Sequence, residues 1–467
     1  MLNPLERTFL KNYLRGDKKA RLAILISAIG VLLFITVSIT LPFKDRLFSM
    51  LFPKSASRAA DVTAELVNLG NPFNGSIDSG YSKPLFARNV WDMQIFNGKI
   101  YLGHGDWGNN TGPTDIWSYD LASKQFVKES STGTVCGANC VDEEAIEKYR
   151  VVDGALVIPG IDDKNSGGSG SFYRQESGSF KKYYNFTSVD HVFDIHSFNS
   201  KLFAGVGPRG TSGVKISSDS GVLWQDAVCK GATTCASRTY TLFELAGKLY
   251  ASIPFLSSSQ VTSLMEYDPV ANVFNVVPWS SAQNMFVPLS GNALTDTARW
   301  ITNESTFNSN LVYIVATPGG GNTNNWIPIS LVKSSAMGSA SQINLPNSAT
   351  PRDTLVNGSN IYVLAHTGSA GAYTNYVFSS TDLTTWTEVL SFSHETFARS
   401  FEYQNGYFYF GMGTDSTALS NKAGDILKAK DPGSTDFTQE LVLLGNPTKD
   451  RFPNNNDSDE YARNPWD

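Results

Sequence analysis

The chain has 467 residues, with 17% charged and 12% aromatic side chains, 39 Gly, 20 Pro and a net charge of -6. Turn-forming residues scattered among short apolar runs exclude a disordered or coiled-coil chain and point to many short strands. The acidic balance, with no Lys/Arg stripe beyond the N-terminus, argues against nucleic acid as a partner.

Residues 1–21 carry Arg7, Lys11, Arg15, Lys18, Lys19 and Arg21 against Glu6 and Asp17, a net of +4. Leu5, Phe9, Leu10, Tyr13 and Leu14 form an apolar face opposite these charges, suited to lying on anionic lipid; a solvated tail that merely sets topology is the alternative. From Leu22 to Phe43 run 22 uncharged residues. They make about 33 Å of helix, against a hydrocarbon core of about 30 Å. We expect a single transmembrane helix over 22–43, with the lipid bilayer as its partner. It reads as an uncleaved signal anchor, because Pro42, Phe43, Lys44 and Asp45 follow where a cleavage site needs small residues. The basic tail then lies in the cytoplasm, a bias that Lys44, Arg46, Lys54 and Arg58 beyond the span partly offset. Residues 44–61 read as a stalk and 62–467 as an ectodomain, extracellular or periplasmic.

Within the ectodomain one phrase recurs: a strand, a tight turn, and an apolar strand ending near Gly. The clearest copies are Val90 to Gly105 and Val192 to Gly207, with weaker ones from Tyr149, Leu242, Thr306, Thr354 and Phe401. Equivalent turn positions fall at Lys99, Ala155, Lys201, Lys248, Asn310, Asn360 and Tyr407. The long gap before Asn310 reads as an insertion. Two further short strands follow each copy, so the expected fold is all-β: a seven-bladed β-propeller of four-stranded antiparallel blades.

A second repeat is longer. Glu65 to Asp92 aligns without gaps to Glu440 to Asp467, with 12 identities in 28. The chain thus completes a turn and begins another, so either two Glu-Leu-Val strands compete for one edge of the closing blade or one of them packs elsewhere. The spare copy suggests self-association through the terminal repeat.

The cysteines form two close pairs, Cys136 with Cys140 and Cys229 with Cys235. Outside the cell these read as two local disulfides that fix loop shape. A zinc site would require both pairs to converge with spacings unlike those of usual zinc ligands. Asp162-Asp163-Lys164-Asn165 lacks the ligand spacing of a calcium loop, and the five histidines show no metal pairing. No metal and no cofactor is expected.

Ser217-Ser218-Asp219-Ser220-Gly221-Val222-Leu223-Trp224 matches the S-x-D-x-G-x-x-W Asp box, and Ser380-Thr381-Asp382-Leu383-Thr384-Thr385-Trp386 is a shortened form. From about residue 60 onward the chain therefore resembles the Asp-box (BNR/sialidase-type) β-propeller superfamily. The resemblance implies architectural roles for Ser217, Asp219, Gly221 and Trp224 and for Ser380, Asp382 and Trp386 at turns between third and fourth strands. It does not imply catalysis.

Arg88, His191, Arg238, Arg352 and Arg399 stand just before first strands, where side chains line one mouth of a propeller. Several cations there favour an anionic ligand, and pairing with Asp92, Asp194 or Asp353 is the alternative. Trp107 and Trp326, in Gly/Asn-rich loops, are candidates for stacking on a ligand. The arginine-bearing phrase and the Tyr/Glu pair of sialidases are not found, and catalytic residues are unknown. The expected function is recognition of a glycan or protein ligand on the propeller face. The alternatives are a sialidase-like exo-glycoside hydrolase and an envelope assembly scaffold.

Overall fold

The computed structural model describes residues 65–74, 86–109, 111–164, 170–184, 186, 188–208, 212–230, 238–253, 264–286, 299–318 and 326–434. The expected tail, transmembrane helix and stalk, and the second copy of the terminal repeat, lie outside these residues. Among the described residues no helix is long and apolar enough to cross a membrane.

Seven sheets of four or five strands follow one another along the chain, beside a two-stranded pair of Thr114–Asp115 with Cys140–Val141. Their first strands are Met93–Phe96, Arg150–Val152, Val189–Phe198, Thr241–Leu245, Trp300–Phe307, Thr350–Asn357 and Phe397–Gln404. Each turns into a second strand whose first residue is Lys99, Ala155, Lys201, Lys248, Asn310, Asn360 or Tyr407. These are the turn positions read from the sequence. Six of the hairpins place both turn residues at positive φ: Asn97-Gly98, Asp153-Gly154, Asn199-Ser200, Ala246-Gly247, Asn308-Ser309 and Asn405-Gly406. That conformation is the one whose twist matches the flanking strands, and Asn, Asp and Gly bear it at least cost.

Seven apolar clusters fill the seven contacts between neighbouring blades. The contact between the third and fourth blades, for instance, buries Phe203, Val214 and Leu242 with Leu249, Tyr267 and Phe274. A blade buries both faces against its neighbours, so its middle strands are nearly continuously apolar, as in Leu-Val-Tyr-Ile-Val-Ala at 311–316.

Two blades depart from the expected four strands. Ser131–Thr132 adds a fifth, parallel strand to the outer edge of the second blade, and Val228–Lys230 does the same for the fourth. Both segments belong to the cysteine loops. Cys136 and Cys140 form a disulfide just after the first of these strands. Cys229, inside the second, is also disulfide-bonded, and its expected partner Cys235 lies outside the described residues. The loops therefore clip each preceding blade to the outside of the next.

Residues 217–224 and 380–386 occupy turns between third and fourth strands. Asp219 Oδ1 accepts the backbone N–H groups of Val222 and Leu223 at 3.1 and 2.9 Å, and Trp224 stacks on Phe186. The Gly221 N–H donates to Ser217 Oγ. Asp382 Oδ1 accepts from Thr384 and Thr385 at 2.8 and 2.7 Å, and Ser380 Oγ accepts from Leu383, while Trp386 packs on the core between the fifth and sixth blades.

The ring closes with strands from both ends. Leu66–Gly70 is the outermost strand of the seventh blade, antiparallel to Ile426–Lys430. The first copy of the terminal repeat thus holds the closing edge.

Candidate binding site at the ring entrance

The axis is organised by one position of the repeat. Seven residues before each second strand stand Asp92, Lys148, Asp194, Thr241, Asn303, Asp353 and Ser400, and each reaches the next blade as a latch. Asp92 accepts from Tyr149 N, Lys148 donates to Asp194, and Asp194 accepts from Leu242 N. Thr241 donates to Ile301 O, Asn303 to Asp353, and Asp353 accepts from Phe401 N. Ser400 donates to Val90 O at 2.9 Å, which completes the circuit. Arg150 adds a bidentate pair with Asp194, 2.8 Å at each contact, and an ion pair with Glu304. Burial alone would raise Asp194, but Arg150 and Lys148 outweigh it and hold the carboxyl below its usual range. Burial raises Asp92 to about 6 against the pull of the same Arg150 and Lys148, and raises Asp353 and Glu402 to about 7 and about 8.

The residue immediately before each latch is Trp91, Glu147, Phe193, Tyr240, Thr302, Arg352 or Arg399. These lie at the entrances of the first strands and make up two arcs. One is aromatic: the rings of His191 and Phe193 stack at 5.5 Å, Phe193 and Tyr240 at 4.2 Å, and Tyr240 and Trp300 at 5.5 Å. His191, Tyr240 and Trp300 are partly exposed. The other arc is cationic. Arg352 and Arg399 donate to opposite oxygens of Asp415 at 3.1 and 2.6 Å, and both guanidinium groups lie over Phe397. Arg399 also lies 4.4 Å from the centre of the Trp91 ring.

Glycine at the end of second strands makes room for these side chains. A Cβ on Gly413 would stand 2.9 Å from Arg399 Nε, and one on Gly207 would stand 2.8 Å from His191 Cδ2. This explains in steric terms why the recurring phrase ends in Gly.

Arg352 is 4% exposed, yet its Nε and Nη1 have no hydrogen-bond partner among the described residues, and His366, 7% exposed, stands beside it with its ring stacked on Phe397 at 5.0 Å. Burial and the Arg352 charge lower His366 to about 3, so its imidazole is neutral. Burial lowers Arg352 to about 10, against the pull of Asp415, and it stays charged at neutral pH. Trp107, in a short turn over the same face, donates to Glu147. Burial raises Glu147 to about 7, against that bond and the Arg399 charge. The entrance therefore offers buried donors for an acceptor-rich or anionic group beside flat aromatic faces.

Of the residues named from sequence, Arg352, Arg399 and Trp107 come together here, and His191 belongs to the aromatic arc. Arg238 is exposed and acts electrostatically on Asp162, 3.9 Å from His191 Nδ1. Arg88 donates to Asn74 at 3.2 Å. Trp326 opens the third strand of the fifth blade opposite Pro318, and its side chain lies outside what is described. Arg352 and Arg399 take Asp415, from a loop with no repeat signature, and the arginine on Asp194 is Arg150, which was not among the residues singled out from sequence. Glu147, Tyr240, Trp300, His366 and Phe397 escaped sequence reading, although Glu147 and Tyr240 could have been found by counting eight residues back from each turn.

No protein-family model and no curated protein matches the chain. Among solved structures it is similar to the extracellular domain of a hybrid two-component system of B. thetaiotaomicron, with 6% identity over 79% of this chain and 42% of that one, TM-score 0.46. It is also similar to a GH74 enzyme of Niastella koreensis, with 14% identity over 76% and 54%, TM-score 0.47. A third is the polysaccharide lyase Uly1, with 10% identity over 74% and 90%, TM-score 0.40. The chain spans about half the length of the first two. Identity this low speaks to fold alone.

Proposed function

We propose that the chain is a membrane-anchored recognition module of the Asp-box type. In this reading its N-terminus is cytoplasmic, residues 22–43 span the bilayer, and the propeller faces the extracellular or periplasmic side. The ligand, a glycan or a protein surface bearing an acidic group, would sit at the ring entrance. The observation that carries this is the pairing of the unmet buried donors of Arg352, Nε and Nη1, with the partly exposed stack of His191, Tyr240 and Trp300. Sugars present apolar C–H faces to aromatic rings and acidic substituents to guanidinium groups, so both halves of the entrance would be used.

A sialidase-like hydrolase is the second reading, favoured by one group. Glu147, raised to about 7 by burial, stands at this face within the influence of Arg399, as a general acid would need to. A glycan array probed with soluble residues 62–467, read for retained protein and for mass loss from each sugar, separates the two. Retention with intact sugars supports recognition, and loss of a terminal sugar supports hydrolysis. Silence on every sugar would shift the proposal to a protein ligand.

A further inference from the structure

The seat of the closing strand is defined by a few groups. Leu66 lies opposite Ala429, Val67 opposite Lys428 and Asn68 opposite Leu427. Asn71 Nδ2 donates to Ala423 O at 2.9 Å and to Asp425 Oδ1 at 3.2 Å, and Asn68 Nδ2 donates to Asp425 Oδ2 at 2.9 Å. Leu66 and Leu69 pack on the cores at either side of the blade. Gly70, at φ +120°, takes a bend that a side chain would strain.

Residues 440–447 (Glu-Leu-Val-Leu-Leu-Gly-Asn-Pro) repeat 65–72 (Glu-Leu-Val-Asn-Leu-Gly-Asn-Pro) at seven of eight positions. Leu441 and Leu444 stand for the two packing leucines, Gly445 for the bend and Asn446 for Asn71; Asn68 alone changes, to Leu443. Chain length also permits the exchange. With Leu441 opposite Ala429 and Glu440 opposite Lys430, nine residues, 431–439, would connect the strands. Sibling blades make the same connection with eight residues between Ile216 and Gln225 and seven between Ser379 and Thr387.

We propose that the outer edge of the seventh blade is a seat for two competing strands, with residues 440–447 of the same chain displacing 65–72 through a hairpin that continues from Ile426–Lys430. One edge with two claimants gives two closures of the ring. The N-terminal strand ties the preceding residues to the ring, and the hairpin releases Glu65 to Pro72. Two differences favour the N-terminal strand. Asn68 bonds to Asp425, and Phe73, fully buried with its ring 4.3 Å from that of His104, corresponds to Thr448 in the repeat. The balance is therefore set by side chains outside the shared sequence.

The test places the photo-crosslinking residue p-benzoylphenylalanine at position 428 of the full-length chain and maps adducts by mass spectrometry. Adducts to both 65–70 and 440–445 are expected. N68L/F73T should raise the ratio of the second to the first at least about tenfold, because a buried phenylalanine is lost from one competitor. L443N/T448F leaves the ring's own contacts intact and should move the ratio the same way. Adducts confined to 65–70 in every variant would overturn the proposal. In a mixture of 15N-labelled and unlabelled chains, 440–445 adducts that join two molecules would overturn the same-chain assignment and give the edge to a second copy.

Discussion

Arg352 and Arg399, 47 positions apart and on neighbouring blades, share Asp415 between them, one on each carboxylate oxygen. Two guanidinium groups on one carboxylate leave an excess of positive charge at the entrance, and Phe397 beneath them takes up part of it through its ring face. Asp415→Asn removes the countercharge from two buried cations. It should cost about 3 kcal/mol in a urea titration, with Asp415→Glu costing less.

The latch circuit should yield graded losses. Thr241→Val keeps shape and removes only the bond to Ile301, so about 1 kcal/mol is expected. Asp194→Ala strands Lys148, Arg150 and the Leu242 N–H together, and should cost about 3 to 5 kcal/mol. Equal losses for both variants would contradict the assigned geometry.

The pH dependence follows from the carboxyls at the axis. Asp92, Asp353 and Glu402 have folded values raised to about 6, about 7 and about 8 by burial, so the folded ring binds protons more tightly than the unfolded chain. Their contribution is fully present below the unfolded values near 4 and is lost as pH rises through the folded ones. Melting temperature should therefore fall between about pH 5 and pH 8, and Glu402→Gln should flatten that slope. Asp194 and Asp415, held below their usual range, act in the opposite sense and lose their contribution only in acid.

The turns at 217–224 and 380–386 should behave as local devices. In Asp382→Ala the Thr384 and Thr385 N–H groups lose their acceptor, so amide exchange across 380–386 should quicken while ligand binding is unchanged. A loss of binding would mean that this turn takes part in the site.

Much of the fold was legible because the hairpin turns obey a strict local rule. Asn-Gly and Asp-Gly pairs at 97–98, 153–154 and 405–406 fix the phase, and the seven second strands begin where that phase places them. The phase also carried the latches and the entrance ring, at fixed distances before each turn, since backbone geometry repeats even where side chains differ. What escaped was set by tertiary contact. Asp415 sits in a loop with no counterpart in other blades, and each fifth strand pairs in parallel with the outermost strand of the following blade. Which copy of Glu-Leu-Val closes the ring turns on Asn68 and Phe73, whose partners Asp425 and His104 are visible only in the folded ring.

The entrance formed by Arg352, His366 and the His191 to Trp300 stack is the proposed seat of the ligand. Its most direct test is equilibrium binding of soluble residues 62–467 to a panel of neutral, uronic-acid-bearing and sulfated oligosaccharides. Arg352→Ala and Tyr240→Ala are measured alongside, with melting curves to verify folding. Acidic sugars should bind at least about tenfold more tightly than neutral ones, Arg352→Ala should abolish this preference, and Tyr240→Ala should weaken every sugar. Folded variants that bind as the wild type does would contradict this placement, and a panel without any binder would leave only a protein surface as the ligand.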